Sequence, residues 1–116
     1  MSWHEVIDER SFEMHQVIAG ILRQDPAQLN VALAWIEKMV SDPEYSIHSK
    51  EALVEWRELI RSRGLEGVLA LLEDRGETGV RMRHASPFAL LMPQDKRREI
   101  FRRHEARRPR AHPAGV

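Results

Sequence analysis

Residues four apart on a helix share a face. His4-Glu5-x-x-Asp8 therefore sets an imidazole and a carboxylate where they could share a divalent cation, as in the H-E-x-x-H zinc motif. The second histidine is missing, and Glu5 has a structural use as the last residue of the S-x-x-E capping box that opens at Ser2. A carboxylate-bridged metal centre in a helical bundle calls for Glu-x-x-His. The residues three before the six histidines are Met1, Phe12, Tyr45, Arg81, Phe101 and Pro109, and none is Glu. The histidines read as surface or rim residues, and neither a metal nor another cofactor is expected. Glu9 and Glu13 are spaced to hold a cation, but an acidic pair on a polar helix face is ordinarily only solvated. Gly76-Glu77-Thr78-Gly79 is too short for a phosphate loop, lacks the Lys that follows one, and reads as a turn. No nucleophile stands with a base and no carboxylates pair in an apolar surround. The chain reads as a non-enzyme with no catalytic residue.

Binding is the chemistry that remains, and the charge distribution gives it a direction. The 18 Lys/Arg and 18 Asp/Glu of this 116-residue chain cancel, but unevenly. Residues 1–93 hold 10 basic and 15 acidic side chains, a net of −5, whereas residues 94–116 hold 8 and 3, a net of +5. A basic end on an acidic body can meet a negative partner or fold back on its own body. The join at Arg63-Gly64-Leu65 could be read as a helix-turn-helix. The second helix, however, presents leucines together with Glu66, Glu73 and Asp74, which phosphates repel, so a plain helical hairpin is the better reading.

The elements that position these residues are all helical. Trp3, Val6, Ile7, Phe12, Met14, Val17, Ile18, Ile21 and Leu22 recur at helical spacing, so the first helix runs from the capping box, with a Met1–Val6 staple, to about Gln24. Asp25 caps and Pro26 starts a second helix that continues to about Val40, with Leu29, Ala32, Leu33, Ile36, Met39 and Val40 inward. Ser41-Asp42-Pro43 ends it. Ser49 caps a third helix carrying Leu53, Trp56, Leu59 and Ile60, and Gly64 stops it with left-handed backbone. A short, nearly all-apolar fourth helix runs from Leu65 to Gly76. Val80 to Ala85 adds a turn or two, and Phe88 to Met92 makes an apolar knuckle between prolines. The last helix starts at Pro93 and ends at Arg108-Pro109, with Lys96, Arg97, Arg98, Arg102, Arg103, Arg107 and Arg108 over much of its circumference. No stretch alternates as a strand does. The expectation is an all-α fold, a compact bundle of five to six short-to-medium helices with a basic C-terminal helix. It forms a single helical domain over 1–108, followed by a disordered tail over 109–116.

With 42% hydrophobic and 31% charged residues, the chain has the composition of one soluble globular domain. The absence of cysteine excludes disulfides, thiolate metal sites and a thiol nucleophile, and fits a reducing cytosol. No apolar run is long enough for a membrane span or a signal peptide, so no membrane association and a cytoplasmic location are expected.

The opening SWHEVIDERSFEMHQVIAGILRQDP and the later SPFALLMPQDKRREIFRR resemble small helical bacterial proteins, the antitoxin partners of nucleotidyltransferase-type toxins in toxin–antitoxin pairs. The resemblance covers the two ends of the chain. It implies a non-catalytic protein that inhibits a partner toxin by direct contact, covering the toxin's nucleotide or acceptor-RNA entrance. Phe88, Leu91, Ile100 and Phe101 would then be the apolar anchors, and Arg97, Arg98, Arg102 and Arg103 the charged contacts. The alternative is a nucleic-acid-binding or regulatory protein working through the basic C-terminal helix. Its binding would weaken steeply with salt.

Overall fold

Each break in helical periodicity becomes a break in the fold. The computed structural model describes residues 2–107; Met1, with its part in the staple, Arg108 and the tail over 109–116 lie outside them. In chain order the elements are α1 (Trp3–Gln24), α2 (Gln28–Ser41), α3 (Ile47–Glu73), α4 (Glu77–His84), a 3-10 turn (Ala89–Leu91) and α5 (Gln94–Glu105). Among the described residues all regular structure is helical, as the periodicity requires.

The first helix begins as its sequence dictates. Ser2 is extended, and its hydroxyl oxygen accepts the Glu5 N–H at 3.2 Å, satisfying one of the donors that a helix start leaves unpaired. Val6, Ile18, Ala19 and Leu22 are fully shielded from solvent on α1, and the last three join one core cluster with Ala32 and Ile36 of α2 and Leu53 and Trp56 of α3. Trp56 is the largest side chain with no exposure. Its indole N–H donates to the Met82 carbonyl oxygen at 2.9 Å, and its ring meets Phe88 edge-on at 5.1 Å. One side chain of α3 thus ties down both the end of α4 and the knuckle that follows.

Two short segments shape the middle of the chain. Gly64 has φ 61° and ψ −151°, backbone that only glycine adopts without strain, and it kinks α3 into arms of 47–63 and 65–73. The expected stop at Gly64 is therefore present, as a kink within one element. At the end of α3, the Asp74 carboxylate accepts the Gly76 N–H at 2.8 Å and the Gly79 N–H at 3.1 Å. A Cβ at position 79 would run into the Asp74 carbonyl oxygen, so glycine is needed there for close approach.

Several boundaries differ from the sequence reading. Glu77-Thr78-Gly79 is the first turn of α4, not a loose turn, because Asp74 supplies the acceptor that lets a helix start there. The helix expected to reach Gly76 ends at Glu73 for the same reason. Ser49 lies inside α3, whose N-cap is Ser46, so the expected loop to His48 is shorter. Asp25 is the C-cap of α1, and α2 begins at Gln28 after a tight turn in which the Gln28 N–H donates to the Asp25 carbonyl oxygen at 3.0 Å. The last helix ends at Glu105, not at Arg108-Pro109.

Replacing Gly64 by alanine is expected to lower unfolding free energy by about 1–3 kcal/mol while leaving far-ultraviolet helicity intact, measured by urea titration. Unchanged stability would show that this backbone is not needed.

Candidate functional site

The first and last helices meet. Of the helices, α5 packs only on α1 among the described residues. Ile100, at 2% exposure, and the half-buried Phe101 supply its apolar contact. Glu13 of α1 takes both polar partners, with Arg103 Nη1 at 2.5 Å and His104 Nε2 at 2.6 Å. Burial by itself raises the Glu13 pKa, but the hydrogen bonds from His104 and Arg103 outweigh it and hold the carboxyl below its ordinary value. Beside this pair, the Arg10 guanidinium lies 4.1 Å from the Phe101 ring centre, with Arg97 at 4.7 Å.

The anchors and contacts expected for a partner do not all lie on the surface. Phe88 is fully buried against Trp56 and Ile100 is nearly so; both are core residues, and neither is open to a partner. Leu91 is half-buried in the 3-10 turn and packs against the core. Phe101 is covered by the two arginines, and Arg103 is spent on Glu13. Arg97, Arg98 and Arg102 are exposed, and Arg98 and Arg102 make no ion pair among the described residues.

The acidic and imidazole groups of α1 also differ from expectation. Glu9 and Glu13 are not merely solvated, since Glu9 receives Arg75 Nη1 at 3.0 Å. Asp8 pairs with His84 at 2.8 Å, while His4 is exposed. Among the described residues, no three His, Cys, Asp or Glu side chains gather as metal ligands. His15 and His104 are not rim residues, with exposures of 4% and 6%. A helical wheel carries the signal for both, since His104 stands four after Ile100 and His15 three before Ile18.

A second cluster lies where α1, α3 and α4 converge. Arg83, 5% exposed, donates through Nη1 to the Leu71 carbonyl oxygen at 3.0 Å and to that of Asp74, which closes the end of α3. Gln16 of α1 donates to the Leu72 carbonyl oxygen at 2.8 Å. Burial pushes the Arg83 pKa below its usual value, with Asp74 opposing and Arg75 adding to the shift. His15 Nδ1–H donates to the Ser11 carbonyl oxygen at 2.7 Å, and its buried Nε2 has no partner among the described residues. Burial lowers the His15 pKa to about 4, against the pull of the Ser11 hydrogen bond and with help from Arg83 and His84.

The fold and this surface define an all-α bundle whose last helix is clasped to its first. No protein-family model, curated protein or solved structure matches the chain. No helix among the described residues is long and apolar enough to cross a membrane.

Phe88→Ala is expected to cost about 3–5 kcal/mol of stability, as loss of a core ring does. A melting temperature equal to wild type would return Phe88 to the surface. His15 is neutral in the fold and titrates near its ordinary value once unfolded. Stability should therefore be complete above pH 6.5 and fall as pH drops toward about 4, by roughly 3 kcal/mol from this residue. Urea titrations across that range should show a flatter profile for His15→Phe; identical slopes in the two proteins contradict the assignment.

Proposed function

We propose that this chain is a non-catalytic binding protein, the antitoxin of a bacterial toxin–antitoxin pair, inhibiting a nucleotidyltransferase-type toxin in the cytoplasm by direct protein–protein contact. One observation carries the reading. The two segments that resemble such antitoxins, α1 and the stretch from Ser86 to Arg103, pack against each other and leave Arg97, Arg98 and Arg102 on the outside. The inner side of α5 is committed to Ile100, His104 and the Glu13 pair. The outer side is free for a partner, and a toxin's metal-binding carboxylates are the natural acceptors for guanidinium groups. Asp95 and Glu99 are also exposed on α5 and would repel a phosphodiester backbone, which favours a protein over a nucleic acid.

The test is binding of the purified chain to a nucleotidyltransferase-type toxin, read by calorimetry and by relief of toxin activity. The double charge reversal Arg98→Glu with Arg102→Glu is expected to weaken the complex at least about tenfold while sparing the melting temperature. Equal binding by the reversed protein overturns this surface. Binding to RNA or DNA with a steep salt dependence, without toxin binding, overturns the antitoxin reading itself.

A further inference from the structure

Arg83 is a buried cation without a buried anion. No carboxylate lies within ion-pair distance of it among the described residues, and Asp74 and Asp8 act on it only at longer range. Backbone carbonyls supply partial charge, which leaves the guanidinium undercompensated. It borders a cavity of about 330 Å³ between α1, α4 and the segment that leads into α5.

A second guanidinium, that of Arg10, lines the same cavity, with the imidazoles of His15 and His84 beside it. Arg10 makes no ion pair among the described residues and is held over Phe101. His84 presents its ring there while its Nε2 is held by Asp8 at 2.8 Å. No carboxylate lines this cavity, although the chain has as many acidic residues as basic ones. Ser86 Oγ accepts the Phe88 N–H at 3.1 Å and keeps its own proton to donate, while Met14 and Phe101 give apolar walls. A bare inorganic ion would leave those walls unused.

A ring site adjoins it. His84 and Ser86 also line a second cavity, of about 220 Å³, walled by Trp35 and Tyr45, whose rings stand at 87° with centres 6.5 Å apart. Two perpendicular aromatic walls offer one face and one edge to a planar group. We infer that the paired cavities bind a small phosphate monoester carrying a planar ring, of nucleoside monophosphate size. Its phosphate lies among Arg10, Arg83 and His84, its ring against Trp35 and Tyr45, and Ser86 donates between them. The site does not use the outward-facing Arg98 and Arg102, so it stands or falls separately from the toxin contact.

The experiment titrates the full chain with adenosine monophosphate by calorimetry and by ¹H–¹⁵N spectra, with inorganic phosphate and adenosine as comparison probes. Adenosine monophosphate is expected to bind more tightly than either fragment and to shift the Trp35 indole and the His84 and Ser86 amides. Arg10→Gln should weaken it roughly tenfold or more, and Arg10→Lys less. Should Arg10→Gln lose its helical circular dichroism, Tyr45→Leu serves in its place, with weaker binding of adenosine monophosphate and unchanged binding of inorganic phosphate expected. No binding of adenosine monophosphate at millimolar concentration overturns the proposal. So does inorganic phosphate binding as tightly as the nucleotide, or a folded Arg10→Gln protein binding as wild type does.

Discussion

The Arg83 guanidinium is the constraint on which the arrangement turns. A helix end leaves carbonyls without partners and carries the negative pole of the helix dipole. Arg83 answers both at the end of α3, donating to Leu71 and Asp74 from a side chain that belongs to α4. The same cation lies 5.0 Å from the Phe12 ring centre of α1. Three helices are thereby fixed around one charge, and the neighbouring groups respond to it. Burial keeps His15 neutral, with Arg83 adding to the effect, and the cavity beside them is lined by the Arg83 and Arg10 side chains. A lysine could not reproduce this, since a compact ammonium lacks the planar fork that reaches separate carbonyls while its face covers a ring.

Polar side-chain links between distant residues close the rest of the molecule. Arg75 reaches Glu9, His84 reaches Asp8, and Arg103 with His104 reaches Glu13, all drawn to the acidic side of α1. Most are half exposed, and such pairs add little free energy individually. Their value is geometric, because they select which face of α1 each later element meets. The burial of Ile100 supplies the attraction that holds α5, and Glu13 sets its rotation. The charge asymmetry along the chain is thus partly resolved within the fold itself, with one part of the basic end folded back and another left outside.

Local features were legible in the sequence, and features made by two distant segments were not. The capping box at Ser2, the stripe of α1 and the break at Gly64 depend on residues within a turn or two of one another, so spacing reveals them. The start of α4 could not be read in that way. Its cap comes from Asp74, ahead of a glycine that looks like a turn, and Gly79 is required by the close approach of the Asp74 backbone. Phe88 is a partner anchor only on the antitoxin resemblance, and its irregular segment between prolines carries no periodicity to show which way it faces. It is buried because Trp56, far away in sequence, offers it an edge. The partners of Glu9 and Glu13 likewise come from elements that only the tertiary fold brings near.

The division of α5 into two sides limits how the chain can hold a partner. A partner that took Arg103 would have to compete with Glu13, and one that took Phe101 would have to displace the Arg10 and Arg97 guanidinium groups. Either would withdraw contacts that dock the helix, so binding energy would be spent against folding energy. Arg98 and Arg102 carry no such debt. They stand on a helix already held in place from its other side, which reduces the ordering cost of an interface. The residues best suited to a partner are therefore those the fold leaves idle. The polar links between α1 and α5 act upstream of any complex, by presenting that idle side in one orientation.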